Sequence, residues 1–356
     1  MEKTTKAQFQ NASSYTYSPG YTFPGNLPME IFTKPYLSSP AINEIFTVRQ
    51  GIRTDEYLIL AGQLEKVLGA MQGCEPTFTT SGTFSDRKIT VGKFGSYMQW
   101  CKEDFISTAS VLTNDPTWVA DGLDGYDASA KIRKVWMDNW IEAIKVDIMR
   151  IALFGNDVAG TNANYNIIDG LFVKMYDAFA SYCVKRVGNS FGNNHATVLA
   201  ADEALDALRR THQNAPILLK QIDRMQKVFW VTGDVYENLL TSYESKNQGT
   251  EVQFKILQDG VSQLFFRGIE VRPLYIADNY LGGDSTNPWY DSLRNFIIYT
   301  PKASSKYSNL VFGTERASDL DNIKMWFDQN TFITKGAYES RFGVQFINCD
   351  LTCFHD

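Results

Sequence analysis

A chain of 356 residues is long enough for two compact units with cores of their own. Hydrophobic residues make up 44% and charged residues 21%, which is a globular rather than a disordered balance. No run of ~18 apolar residues is present to span a bilayer as a helix.

With a formal charge of −6, the longest basic concentration is Lys131-Ile132-Arg133-Lys134, a single helical turn. Gripping a nucleic-acid backbone is disfavoured, because that requires clustered cations. Enclosing nucleic acid is compatible with acidity, since a container must not adhere to its contents. Met1-Glu2-Lys3-Thr4-Thr5 leads into polar sequence rather than the apolar block of a secretory signal, which predicts synthesis and assembly in a cytoplasm.

In chain order, residues 1 to about 44 read as an extended arm, with turn signals at Ser18-Pro19-Gly20 and Phe23-Pro24-Gly25-Asn26 and with Pro28, Pro35 and Pro40 blocking helix. Tyr15, Tyr17, Tyr21, Phe23, Phe32 and Tyr36 stud the arm, and so many aromatics predict that it lies on a surface. From Thr54 the spacing of Leu58, Ala61, Leu64, Val67, Leu68 and Met71 predicts a helix closed by Gly73. Phe78-Thr79-Thr80 and Lys88-Ile89-Thr90-Val91 predict a β-hairpin with Ser81 to Asp86 as its tip. Such a hairpin buries little at home and needs a partner. Its Phe84 is the expected apolar contact, with Arg87 or Lys88 meeting acidic groups of a neighbour.

Between Asp127 and Phe154, Ile132, Val135, Trp136, Trp140, Ile144, Ile148 and Ile151 recur at helical spacing. Asp138, Glu142 and Lys145 take the opposite face, and Gly155 is expected to cap the helix end. The apolar stripe is predicted to pack on C-terminal strands that include Val344, Phe346 and Leu351. Further on, the pattern predicts a helix over 201–210, a buried strand over Lys227–Val231 and a helix from Gly233. Strands are expected over 263–266, 269–275, 296–300, 323–328 and 343–350.

Chemistry-bearing motifs are missing: there is no GxSxG, GxxxxGK[ST], HExxH or GxGxxG. Of the three histidines, His195, His212 and His355, most are expected to face solvent, and they give a catalytic triad little to draw on. Asp121, Asp124 and Asp127 depart from a calcium loop and suit the N-terminus of the long helix better. Asp319 and Asp321 read as the polar edge before a strand. The five cysteines, Cys74, Cys101, Cys183, Cys349 and Cys353, contain no CxxC pair and are expected to be reduced, mostly buried thiols.

The order of features resembles the major capsid proteins of tailed bacteriophages. Local phrases carry the likeness: Lys93-Phe94-Gly95-Ser96-Tyr97-Met98-Gln99-Trp100, Leu153-Phe154-Gly155-Asn156-Asp157, Lys227 to Asp234, Arg267-Gly268-Ile269-Glu270-Val271-Arg272-Pro273 and Tyr338 to Gln345. The resemblance implies an α+β chain of the Hong Kong 97-type capsid fold. Its parts would be an N-terminal arm (1–50), a helix (51–73), an extended hairpin loop (74–100) and a peripheral domain (101–164) with a spine helix (127–154). An axial domain (165–320) and a return to the peripheral domain (321–356) would follow.

By the same resemblance the chain assembles with itself into hexamers and pentamers of an icosahedral head. It would enclose DNA without sequence-specific binding, hold no cofactor or metal and carry no catalytic residue. Portal and scaffolding proteins, and optionally decoration proteins, are the implied partners. The location implied is the virion, after assembly in the host bacterial cytoplasm, with no membrane. Lys88 or Lys93 with Asn348 are the formal candidates for the covalent crosslink of some members, and none is expected here. An encapsulin-type nanocompartment shares the pattern, although the aromatic arm speaks for a phage. A carbohydrate-binding surface module rests on aromatics and β-content alone.

Overall fold

A computed structural model describes residues 42–61, 84–101, 131–158, 164–188, 199–246, 252–256, 262–289, 293–315, 323–328, 330 and 333–356. The aromatic positions Tyr15, Tyr17, Tyr21 and Phe23, the segment from 62 to 83, the acidic loop at 121–127 and His195 lie outside these residues. The chain divides into two units.

Among the described residues, the first unit holds 93–101, 131–148, 323–328, 330 and 333–341. It comprises most of strand β4 (Gly92–Cys101), the larger part of helix α2 (Lys131–Phe154), strand β12 (Ile323–Asp328) and the start of strand β13 (Ile333–Phe346). β12 and β13 pair antiparallel, from Ile323 opposite Tyr338 to Asp328 opposite Ile333, and β4 also pairs with β13. Trp140, Ile144 and Ile148 of α2 are buried, whereas Asp138, Glu142 and Lys145 are exposed, as a one-sided helix requires. The Trp140 indole donates to Ser96 Oγ at 2.9 Å and lies over Gly336, where a Cβ would come within 3.0 Å of the ring. The strand bears a glycine at the point where the ring needs room. Phe94 and Tyr338 add a tilted ring pair 5.9 Å apart. The side chain of Trp136 lies outside the described set.

The second unit contains the remaining described residues. Its centre is a seven-stranded sheet in the order β5 (Lys185–Val187), β14 (Cys353–His355), β10 (Ile297–Pro301), β6 (Lys227–Val231), β9 (Ile269–Pro273), β8 (Ser262–Phe266), β7 (Val252–Ile256). β6 and β10 are buried at every position, which demands cover on both faces. On one face Phe229, Val231, Ile297 and Tyr299 join a core with helices α4 (Glu203–Asn214), α5 (Ile217–Gln221) and α6 (Gly233–Lys246). Phe229 and Tyr299 stack 4.2 Å apart within it.

On the other face, Phe354 meets Tyr176 of α3 (Leu171–Ala180), and Phe172 meets both Phe154 and Phe296. The last residues of α2, Met149 to Phe154, are buried all round. Arg150 is buried among them, its guanidinium over the Tyr165 ring at 4.6 Å and donating to the Asn164 carbonyl. Asp278 of α7 (Tyr275–Gly283) accepts from the Gly233 N–H at 2.7 Å and so caps α6; burial raises its pKa to about 7.

Several sequence expectations are corrected here. Residues 42–50, read as the end of an extended arm, hold α1 (Ile42–Ile45), a single turn, and β1 (Thr47–Gln50), which pairs parallel with β11 (Leu310–Thr314). The buried side chains of Ile45 and Phe46 tie this stretch down. Asp55–Ala61, expected as the start of a helix in 51–73, is strand β2, because its apolar residues meet a partner strand. Gly155 does not end α2 through a left-handed φ. Its own N–H still reaches the Ile151 carbonyl at 2.9 Å, and the glycine is required because a Cβ would collide with the Ile168 carbonyl.

Leu351 packs on the core of the seven-stranded sheet. His212 is half-buried between the rings of Phe266 and Tyr299, and His355 is fully buried in β14, where desolvation lowers its pKa to about 4. Cys183 and Cys349 form a disulfide across 166 residues, not two free thiols; their Cα atoms are 5.4 Å apart. Cys353 is free and buried.

Candidate assembly surface

The expected hairpin exists but is built from different strands. β2 pairs antiparallel with β3 (Phe84–Thr90), from Asp55 opposite Thr90 to Ala61 opposite Phe84. Ser85 and Asp86, expected at the tip, therefore lie within the ladder, and the ribbon continues toward residues 62–83. Cross-strand partners share a face, which separates the ribbon into two sides.

The inner side carries Leu58 and Ile89, which are buried with Ile52 and Val311. Its root crosses a pair of glycines. Gly313 of β11 and Gly343 of β13 stand opposite each other in the ladder. A Cβ on Gly313 would come 2.7 Å from both Ile52 Cδ1 and Ile89 Cδ1, and one on Gly343 would collide with the Thr90 carbonyl oxygen. The absence of two side chains is what lets the ribbon's base lie on the strand surface. Gln345 then donates to the Lys88 carbonyl at 2.9 Å.

The outer side carries Tyr57, Ile59 and Phe84, whose relative exposures are 57%, 70% and 75%. Three large apolar residues on one exposed face of a two-stranded ribbon form a surface that water covers poorly. Beside it a groove of about 360 Å³ is lined by Thr47, Arg49, Glu56, Tyr57, Ser308 and Ile347 among others.

The charged residues assigned to a neighbour are already engaged at home. Lys88 Nζ lies 2.8 Å from Asp55 Oδ2, and this pair lowers the pKa of Asp55. Arg87 faces inward, its guanidinium 4.2 Å above the Phe346 ring. Asn348, the formal crosslink acceptor, accepts from the Asp350 N–H through its side chain and donates its own backbone N–H to Asn309 Oδ1. Of the expected contact residues that are described, Phe84 has an exposed side chain. Tyr57 and Ile59 were missed, and the signal for them was the alternation Tyr57-Leu58-Ile59-Leu60, which also fits part of a helical stripe. Among the described residues no His, Cys, Asp and Glu cluster could hold a metal ion.

Sequence comparison finds no matching family model and no matching curated protein. Structure comparison finds phage capsids. The chain aligns with a structure from Mycobacterium phage Ogopogo at TM-score 0.58 and 11% identity, covering 94% of this chain and 96% of that one. It aligns with the capsid of Myoviridae phage XM1 at TM-score 0.54 and 11% identity, over 92% and 94%. The capsid structure of cyanophage P-SCSP1u matches at TM-score 0.54 and 11% identity, over 94% and 92%. The chain thus has the α+β capsid fold along nearly its whole length.

Proposed function

We propose that the chain is the structural subunit of an icosahedral phage head, self-assembling into hexamers and pentamers that enclose DNA. One observation carries the reading beyond fold. The β2–β3 ribbon turns Tyr57, Ile59 and Phe84 to solvent on a single face, a surface suited to a second copy of the same chain. The role is structural rather than enzymatic. Portal, scaffolding and decoration proteins are the partners such a head would use, with assembly in the host cytoplasm before the subunit resides in the virion. The aromatic arm, with Tyr15, Tyr17, Tyr21 and Phe23, is a second apolar element proposed to lie on a neighbouring copy.

Light scattering and negative-stain microscopy of the purified chain test this. Capsomers, sheets or closed shells are expected, and a combined Tyr57→Ser, Ile59→Ser, Phe84→Ser variant should stay folded yet fail to reach them. A wild-type monomer across micromolar concentrations would overturn the proposal.

A further inference from the structure

The Cys183–Cys349 bond has an unusual neighbour. Cys183 follows the C-terminal turn of α3, and Cys349 opens the 3-10 turn Cys349–Leu351 that leads into β14. Arg87 of β3 reaches both sulfurs, with Nη2 3.1 Å from Cys183 Sγ and 2.6 Å from Cys349 Sγ. The guanidinium is held there by the Phe346 ring beneath it. Three segments far apart in sequence therefore meet at one sulfur pair. The two sulfurs are not equivalent: Cys183 is partly exposed, whereas Cys349 is buried.

We propose that Cys183 and Cys349 are a reversible redox staple whose opening is directed by Arg87. A low-molecular-weight thiolate attacks the accessible Cys183 sulfur, forming a mixed disulfide there as the S–S bond breaks. The bonding electron pair leaves on Cys349 Sγ, where the guanidinium 2.6 Å away stabilises the developing negative charge. A second thiolate then attacks the mixed disulfide, releasing the Cys183 thiolate and a low-molecular-weight disulfide. The sum is protein disulfide plus two thiols giving protein dithiol plus one small disulfide. Closure is the reverse, with that small disulfide as oxidant.

Arg87 acts through its charge on the leaving sulfur. Opening the staple frees the end of α3 from the approach to β14 and leaves Arg87 facing an anion, so the root of the ribbon senses the redox state. In a reducing cytoplasm the staple stands open, and in an oxidising medium it closes.

The test uses the full-length chain equilibrated in air, then exposed to reduced glutathione and quenched by alkylation, with peptide mapping of each cysteine. A Cys183–Cys349 crosslinked peptide is expected before reduction, and the first glutathione adduct should appear on Cys183. Arg87→Gln should slow opening about ten-fold, an order set by loss of charge stabilisation at the leaving sulfur, while Arg87→Lys keeps most of the rate. No crosslinked peptide in the air-equilibrated wild type, a measurement that needs no variant, would overturn the staple. Adducts shared equally between Cys183 and Cys349, or an opening rate unchanged in Arg87→Gln, would overturn the directing role.

Discussion

The central strands β6 and β10 and the ribbon strands β2 and β3 are similar in length and opposite in self-sufficiency. Every residue of β6 and β10 is buried, and their two faces meet helices supplied by the same unit. The ribbon buries Leu58 and Ile89 on one side and leaves Tyr57, Ile59 and Phe84 uncovered on the other. Among the described residues the sheet is covered on both faces, whereas the ribbon's outer side is left exposed. Stability and assembly should accordingly be separable by mutation.

The largest effect belongs to the sheet. Phe229→Ala removes a ring stacked at 4.2 Å on Tyr299 in a closed core and should cost about 3–5 kcal/mol, read from chemical denaturation of the chain. A loss under about 1 kcal/mol would mean that the core is loosely packed after all. A smaller, more informative effect is expected where the ribbon's root crosses β13. Gly343→Ala places a methyl group against the Thr90 carbonyl and should cost roughly 1–3 kcal/mol by overpacking. Protease cleavage near the ribbon's root should rise with it, and unchanged cleavage would show that the strands move apart without disturbing the ribbon.

Acidity sharpens the contrast further. Folded Asp278 stays protonated up to about pH 7, chiefly through burial, whereas an unfolded aspartate titrates near ~4. Between those values the folded chain holds more protons than the unfolded one, so this group makes stability fall as pH rises from about 4 through about 7. Asp278→Asn should flatten that slope in thermal melts taken across the window, and an unaltered slope would remove Asp278 from the account. Asp55 in the ribbon has the opposite sign. Its hydrogen bond to Lys88 lowers its pKa, so its contribution is present above the ordinary aspartate range and is lost as pH falls. The smallest stability change should come from the ribbon's outer face. The serine variants at Tyr57, Ile59 and Phe84 should each stay within about 0.5 kcal/mol of wild type, because those side chains are already in water.

What could be read from sequence follows the same divide. The long helix and β6 were legible because each is specified by local pattern. Trp140, Ile144 and Ile148 repeat at helical spacing, and Val228–Val231 is an apolar run closed by Thr232-Gly233. β2 was misread because Leu58 and Ala61 satisfy a helical step while Tyr57 and Ile59 alternate with Leu58 and Leu60; only the pairing with β3 decides. The disulfide was unreadable for a different reason. Its partners are 166 residues apart, and Cys349 has a nearer sequence companion in Cys353 that points into another core. The inward turn of Arg87 and the opposed glycines Gly313 and Gly343 likewise depend on register between distant strands.

The place of β14 has a consequence for synthesis. This three-residue strand sits between β5 and β10, antiparallel to β10 and parallel to β5, although both neighbours precede it by more than fifty residues. A chain emerging from the ribosome at ~5–20 residues per second can pair β6 with β10 while the slot beside β10 is still vacant. For some seconds the nascent sheet then presents a bare inner edge, with unpaired backbone groups able to recruit a strand from a neighbouring nascent chain. Crowded polysomes making many copies at once are where that exposure matters most, and arrival of Cys353, Phe354 and His355 is the event that ends it.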